Sequence, residues 1–187
     1  MIMRFKPINE KGVMVNERKG SGNFTLVVRG QSAHAGRHFH EGVNAVTALA
    51  RALGEIDKMN HNAHDMTVNI GQVQGGQAVN VVPDLAWAKI NVRLVEETHQ
   101  SGCLQQFDQI LKQLNSQSGI QAHWHGGFSS PPKLKTPAVK AMVALIDQIA
   151  KKINHPNSWA KTGGVCDGNK LAACGLPNID TLGTVSY

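Results

Sequence analysis

Apolar residues recur along the first part of the chain with two different periods. Phe24, Leu26 and Val28 alternate with other residues up to Gly30, which is the period of a β-strand with one better-buried face. From Gly42 the apolar residues recur at helical spacing instead. The stripe of this predicted helix contains Val43, Val46, Leu49, Ala50, Leu53 and Ile56. A strand and an amphipathic helix are therefore the first two predicted elements, and polar residues end the helix.

Two β-rich runs follow this helix. They span residues 66–73 and 85–95, and the Gly75-Gly76 pair and Pro83 separate them. Since the connection between the two runs is short and rich in turn residues, the runs are predicted to pair as antiparallel neighbours.

A second amphipathic helix is predicted after these strands. Thr98 is its predicted N-cap, and Gly119 is placed at the C′ position. Residues 120–124 then read as a final strand. The resulting β-α-β-β-α-β order predicts an α+β fold of the ferredoxin-like kind, with a four-stranded antiparallel sheet covered on one face by two helices.

The last third of the chain has a different organisation. Residues 129–132 read Ser-Ser-Pro-Pro, which neither continues a sheet nor enters a helix interior, so a hinge is predicted there. Thr136 and Pro137 supply an N-cap and an N1 residue for a third helix. A Gly-rich loop after Trp159, a helix over residues 167–174 and a strand over residues 176–180 complete the prediction. These elements provide one face of a core, as in part of a larger α/β domain.

Composition and charge narrow the class of protein. The 187 residues are 41% hydrophobic and 17% charged, which is typical of a folded globular chain. The formal net charge is +6, but the 19 lysines and arginines are scattered, so no nucleic-acid partner is expected. No apolar run is long enough to span a membrane, and no signal peptide is recognised. Three unpatterned cysteines fit a reducing cytoplasm.

Three motifs appear in a fixed order along the chain. They are GQSAHAG at 30–36 followed by GVNA at 42–45; a Gly-Gly pair at 75–76 with VNVVPD at 79–84 and NVR at 91–93; and GGVCDG at 163–168 with GLPNID at 175–180 and LG at 182–183. The ordered set resembles the zinc-dependent amidohydrolases and metallopeptidases of the acetylornithine deacetylase, succinyl-diaminopimelate desuccinylase and glutamate carboxypeptidase type.

The resemblance implies a two-domain parent protein. In such proteins a catalytic α/β domain holds two zinc ions, and an inserted ferredoxin-like domain forms the dimer. Residues 22–128 match the inserted domain, residues 1–21 are a lead-in from the catalytic domain, and residues 129–187 match its incomplete C-terminal part. A homodimer through residues 22–128, with the edge strands and the first helix as its surface, is therefore expected.

The resemblance also implies roles for three residues. His34 would reach into the partner subunit's active site and donate a hydrogen bond to the polarised carbonyl oxygen of the substrate. Asn80 would be a second donor to substrate, and Arg93 would hold a substrate carboxylate. Without the resemblance, the same residues read as a loop histidine, a turn asparagine and a surface arginine, and these readings stay open.

Zinc is the cofactor of the family, but this sequence argues against it here. The family places its H-x-D and Glu-Glu motifs before the part that this chain matches, so they are absent here, and Lys6 stands where the family has the glutamate of an F-E-P motif. An ammonium group repels a nearby dication, so no specific zinc site is expected. Ser130 replaces an arginine that the family often has before two prolines. Three histidine pairs, His38 with His40, His61 with His64 and His123 with His125, are interpreted as solvated residues.

Three functions remain open at this level. The first is a fragment or truncated relative of a zinc hydrolase that cleaves amide bonds in N-acyl or N-carbamoyl amino acids or small peptides, inactive as this chain. The second is a non-catalytic dimerisation or interaction module. The third, a nucleic-acid-binding sheet, would need exposed aromatic residues within a basic motif, which Phe24, Trp87 and Trp124 do not have around them.

Overall fold

A computed structural model describes residues 2–3, 7–8, 13–60, 65–155 and 157–185. The strands are β1 Ile2–Met3, β2 Pro7–Ile8, β3 Val13–Arg18, β4 Gly20–Arg29, β5 Ala33–His34, β6 Met66–Gly75, β7 Val81–Val82, β8 Leu85–Leu94, β9 Gln121–Ser130, β10 Ser158–Thr162, β11 Asn178–Ile179 and β12 Gly183–Val185. The helices are α1 Ala45–Lys58, α2 His99–Asn115, α3 Pro137–Lys152 and α4 Asp167–Ala173, with a 3₁₀ turn at Phe39–Glu41. None of the helices in the described ranges is long and apolar enough to cross a membrane.

The chain divides into two compact units. Residues 22–94 and 98–129 form the first, called here the ferredoxin-like unit. Residues 1–21, 95–97 and 130–187 form the second, called the flanking unit. Each unit has its own buried apolar cluster.

The ferredoxin-like unit contains the predicted four-stranded sheet. Its strand order is β6-β8-β4-β9. β6 and β8 pair antiparallel with Val68 opposite Val92, and the register shifts between Ile70 and Gln72. The central strands β8 and β4 are separated in sequence by α1 and β6, so the order is that of two interleaved βαβ units. The predicted α+β fold class is confirmed.

The core of this unit lies between one sheet face and the two helices. Alternate residues of β8 from Ala86 to Leu94 are buried, as are Leu26 and Val28 of β4. Phe107 of α2 packs edge-on against Phe24 at 5.0 Å between ring centroids and stacks on Trp124 at 4.4 Å. The remaining buried members are Ala45, Ala48, Leu49, Ala52, Ile56, Met59, Met66, Val68, Cys103, Ile110, Leu114 and Ile120.

The helix boundaries differ from the predicted ones at several ends. α1 begins at Ala45 because Asn44 is its N-cap, and Asn44 Oδ1 accepts a hydrogen bond from Thr47 N at 2.9 Å. Thr98 occupies the N-cap position of α2, but it has helical backbone angles and its side chain makes no capping hydrogen bond. Gly119 lies three residues beyond the C-cap Ser116, so it was wrongly placed at C′.

Two asparagines fasten the helix ends to the strands that follow. Asn60 Nδ2 donates to Val68 O, and Asn60 Oδ1 accepts from Val68 N, both at 2.8 Å. Asn115 makes the same two bonds with Ala122, at 3.0 and 2.7 Å. The side-chain amide of each asparagine therefore pairs with one backbone N–H and one backbone C=O, as a neighbouring strand would.

β9 is longer than the predicted strand over residues 120–124. It continues through two glycines to Ser130. At Gly126, φ is +95°, and a Cβ atom would lie 2.1 Å from Asn23 O of β4. The strand passes this point because glycine alone tolerates both the positive φ and the close approach, which the apolar pattern does not encode.

The flanking unit is built from parallel strand pairs and two helices. β3 pairs with β10, β1 with β11 and β2 with β12. The predicted cap of α3 is confirmed, because Thr136 Oγ1 accepts from Val139 N and Pro137 follows it. Val139, Met142 and Val143 of α3 pack with the buried Ile179.

Two predictions for this region need correction. Residues 158–162 form β10, whereas the sequence predicts no strand there. The run is short and mixes polar with apolar residues, so it lacks the alternation by which a strand is recognised. The strand predicted over residues 176–180 contains only Asn178–Ile179, because Pro177 lacks a backbone donor.

Candidate functional site

His34 lies on β5, and Asn80 lies in the turn immediately before β7, the short strand that pairs with β5 in the ferredoxin-like unit. β5 and β7 pair antiparallel, with His34 opposite Val81. Ala35 N donates to Asn80 O at 2.9 Å. Both side chains are exposed. The fold therefore brings these two predicted substrate contacts together in space, although they are 46 positions apart in the sequence.

The surroundings of His34 determine which ring nitrogen carries the proton of the neutral imidazole. Gly36 N donates to His34 Nδ1 at 3.1 Å. Because Nδ1 is the acceptor, the proton of the neutral ring is on Nε2. His34 thus presents an Nε2–H donor on an exposed side chain, and such a donor can stabilise negative charge on an oxygen.

Arg93 lies far from this pair within one chain. It is opposite Thr67, near the end of β8, and eight residues after Leu85. At about 3.4 Å per residue this is roughly 27 Å along the strand. The β5–β7 pair lies at the other end of β8, since Gly30 N donates to Asp84 O next to the first residue of β8. Arg93 therefore does not join His34 and Asn80 in this chain.

Arg93 instead belongs to a polar row on the sheet face opposite the helices. Its Nε donates to Asn91 Oδ1 at 2.8 Å. Asn91 Nδ2 in turn donates to Asn23 Oδ1 at 2.7 Å and to Gly22 O at 3.1 Å. These bonds orient the guanidinium group along the sheet.

A cleft of about 340 Å³ lies beside β7 in the same unit. Val81, Leu85 and Trp87 supply apolar wall, while Ser32 and Asp84 are polar. Ser32 belongs to the motif that contains His34, and Val81 follows Asn80, so the cleft borders both predicted substrate contacts in sequence.

The flanking unit contains a fully buried carboxylate that sequence reasoning did not single out. Asp180 is fully buried and accepts from Arg18 Nε at 2.9 Å and from Arg18 Nη2. Lys133 Nζ donates to Asp180 Oδ2 at 2.6 Å and to Asn178 Oδ1 at 3.3 Å. Cys166 Sγ lies 3.5 Å from Asp180 Oδ2. Two cations therefore share one carboxylate in the interior.

The two cations set the protonation of Asp180. Burial by itself would raise the pKa of this carboxyl, but the hydrogen bonds and charges of Arg18 and Lys133 outweigh burial and lower the pKa to about 2. Asp180 is thus a permanent anion at neutral pH, and its oxygens are occupied by protein donors.

The sequence offered little sign of this cluster. Lys133 follows two prolines in the sequence. Lysine is almost never fully buried, so its sequence position gave no reason to expect a buried charge. The alternation of Met14, Asn16 and Arg18 as the buried residues of β3 becomes visible only when the strand has been placed.

The described residues do not fit a zinc site. Among residues 13–60, 65–155 and 157–185, no three His, Cys, Asp or Glu side chains converge. Asp180 is committed to Arg18 and Lys133. Asp167 lies in the first turn of α4, where its charge favours the helix N-terminus. Lys6 lies outside the described residues, and Ser130 is the last residue of β9.

The family described as the peptidase dimerisation domain matches residues 16–119, which is more than half of the chain. The uncharacterised protein YqjE of Bacillus subtilis (strain 168) is 26% identical over 156 residues, covering 81% of this chain and 40% of YqjE. A probable carboxypeptidase of Aspergillus niger is 34% identical over 97 residues, covering 46% of this chain and 23% of that protein.

A solved structure extends the likeness in fold to nearly the whole chain. Aminopeptidase PepT of Bacillus cereus superimposes with a TM-score of 0.83 at 22% identity, covering 95% of this chain and 47% of PepT. The chain spans less than half the length of each of these three proteins. The motifs, the strand order and the matched domain agree, and the chain belongs to the M20 metallopeptidase family, with the peptidase dimerisation domain in residues 16–119.

Proposed function

We propose that this chain is the self-association part, with a piece of the catalytic domain, of a zinc-dependent hydrolase that cleaves amide bonds in N-acyl or N-carbamoyl amino acids or small peptides. Residues 22–128 form the dimer, residues 1–21 and 129–187 belong to the catalytic domain, and the protein acts in the cytoplasm. The match of the peptidase dimerisation domain to residues 16–119 is the observation that carries this proposal.

The geometry of the ferredoxin-like unit supports a substrate-contacting role for its His34 edge. His34 offers an Nε2–H donor, and Asn80 immediately precedes the strand paired with it. Two donors at one exposed edge suit an oxygen that gains negative charge during amide hydrolysis. Because Arg93 lies at the other end of β8, we assign it to a different substrate contact or to the site of the other subunit.

The same chain is proposed to be inactive by itself. Amide hydrolysis in this family needs zinc, whose chemistry is to polarise the carbonyl and activate water. The carboxylate that the flanking unit holds at its centre, Asp180, already accepts from Arg18 and Lys133. A buried carboxylate that already neutralises two cations is a poor candidate for a ligand of a further dication.

Zinc loading tests this inactivity. The 187-residue chain would be incubated with zinc, freed of excess metal, and assayed for bound metal and for hydrolysis of N-acetyl amino acids, N-carbamoyl amino acids and dipeptides. We expect less than one tightly bound ion per chain and no hydrolysis above a chelated control. Stoichiometric tight zinc together with amide cleavage that a His34→Ala variant weakens would overturn the proposal.

A non-catalytic dimerisation module is the second candidate function. The outer strand β6 supports it, since residues 71–75 of that strand are exposed and Val73 retains 55% of its accessible surface. An exposed edge strand of this kind is a template for pairing with a second strand. Edge-to-edge pairing through β6 would continue the sheet across a two-fold axis.

A matched pair of valine substitutions distinguishes an effect of the β6 edge on self-association from a general effect of an added charge on solubility. Val73→Lys places a charge on the β6 edge, whereas Val79→Lys changes a valine that is fully exposed in the loop before β7. Val73→Lys is expected to shift self-association to higher protein concentration, and Val79→Lys is not. Equal association of both variants and the unsubstituted chain would place the dimer surface elsewhere.

A further inference from the structure

We propose that His123 and His125 of β9 form a chelating site for a divalent transition-metal ion, with Cu²⁺ and Ni²⁺ preferred. The site lies on an outer strand of the ferredoxin-like unit and is independent of the hydrolase chemistry proposed above. It uses two imidazoles from one strand, with water in the remaining positions.

The two rings are already close. Their centroids are 4.6 Å apart, and the ring planes are nearly perpendicular, at 88°. His125 is exposed and His123 is half-buried, so an ion can reach the space between the rings. Because the residues are two positions apart on a strand, both side chains leave the same face.

The residue between them fixes this arrangement. Trp124 points to the opposite face, where it stacks on Phe107 at 4.4 Å and 11°. Trp124 Nε1 also donates to Phe107 O at 3.2 Å. A rotation of the strand that would separate the histidines would have to remove this indole from the core.

The backbone of β9 directly after the two histidines is also held in place. Gly126 follows His125 with φ of +95°, and its Cα lies against the carbonyl of Asn23, so that a Cβ would come within 2.1 Å of Asn23 O. β9 is therefore locked to β4 at the residue after the pair. Such support from the backbone and the core reduces the entropy lost when two side chains bind one ion.

The ring separation and the affinity order of the metals indicate which ions suit the pair. An ion held by an imidazole nitrogen at about 2.1 Å lies roughly 3.2 Å from the ring centroid. Two imidazoles at about 90° around one ion then have centroids roughly 4.6 Å apart, whereas a tetrahedral angle gives roughly 5.2 Å. The observed 4.6 Å is a separation that two imidazoles on one ion can have, and the rise in affinity along the first-row metals to Ni²⁺ and Cu²⁺ favours these two ions.

In the described part of the chain no third His, Cys, Asp or Glu completes a larger group around the pair. The ion would thus keep several water ligands, and the affinity would be that of a two-point chelate. This sets the site apart from the carboxylate-rich zinc site of the family.

Calorimetric titration of the full chain with Ni²⁺, and separately with Cu²⁺, tests the site. We expect one ion per chain, and His123→Gln and His125→Gln should each weaken binding at least about tenfold, since loss of a mere supporting contact to a metal ligand costs that much. The variants His38→Gln/His40→Gln and His61→Gln/His64→Gln remove other closely spaced pairs and should leave the affinity unchanged. Thermal melting confirms that each variant is folded.

Two results would overturn the proposal. Unchanged binding in the His123→Gln/His125→Gln double variant would place the ion elsewhere. A loss in only one of the two single variants would show single-histidine binding and contradict the chelate. Selective broadening of the two ring proton resonances by Ni²⁺, absent from the double variant, supports it directly.

Discussion

Lys133 Nζ donates a hydrogen bond of 2.6 Å to Asp180 Oδ2, and both side chains are fully buried. Arg18 donates to both oxygens of the same carboxylate. Removing two or more charges from water costs several kcal/mol per ion, and the pairing offsets this cost only while all partners are present. The centre of the flanking unit therefore depends on a group that must stay charged.

The first prediction concerns removal of the shared anion. Asp180→Asn leaves Arg18 and Lys133 buried without a counter-charge, so we expect the free energy of unfolding to fall by about 3–5 kcal/mol. Chemical denaturation followed by circular dichroism measures it. Lys133→Met should cost less, because the Arg18–Asp180 pair survives and the replacement is apolar.

A surface ion pair serves as the control for that prediction. Glu55 accepts from Lys58 Nζ at 2.7 Å, but both side chains are at least half exposed. Glu55→Gln should therefore change the free energy of unfolding by less than about 1 kcal/mol. If Asp180→Asn were as mild as Glu55→Gln, the cluster would contribute nothing to stability.

The second prediction concerns acid. The pKa of Asp180 is lowered to about 2 in the folded chain from an ordinary value of 3.8, so the unfolded chain binds the proton first as the pH falls. The stability from this group is present above pH 4 and is lost between roughly pH 4 and pH 2, by about 2 kcal/mol. Unfolding measured across this range should show the loss, and Asp180→Asn should lack that part of it.

The third prediction compares adjacent glycines of β9. Gly126→Ala forces a side chain into φ of +95° and against Asn23 O, whereas a Cβ on Gly127 meets nothing within 4 Å. We expect a loss of about 2–3 kcal/mol for Gly126→Ala and less than about 0.5 kcal/mol for Gly127→Ala. Similar melting temperatures for the two variants would show that the β9–β4 contact is not tight.

The fourth prediction concerns the tautomer of His34. Because Gly36 N donates to Nδ1, the neutral ring should carry its proton on Nε2. Nitrogen-15 chemical shifts from long-range proton correlation distinguish the two tautomers. Gly36→Pro removes the donor and should mix the tautomers, while Gly36→Ala keeps it; a protonated Nδ1 in the unsubstituted chain would contradict the proposed donor role.

The sequence predicts the ferredoxin-like unit well for a physical reason. Its core residues recur at period two in β4 and β8 and at helical spacing in α1 and α2, so each element shows its buried face. The ends of the elements were less predictable. β9 continues past Gly126 because glycine adopts a positive φ there, and the apolar pattern of the sequence does not show this.

The flanking unit shows why other features were missed. β10 is short and mixed in polarity, so only its parallel pairing with β3 identifies it. Arg18, Lys133 and Asp180 lie more than 40 positions apart and have no local pattern. Likewise, His34 and Asn80 were each chosen by motif, but their proximity follows from the pairing of β5 with β7.

Light scattering during size-exclusion chromatography, in buffer with a metal chelator, is the most direct test that this chain is a self-associating domain of its family. We predict a mass twice that of the 187-residue chain, maintained on dilution until the dimer dissociates. The mass of a single chain at every accessible concentration would contradict the account.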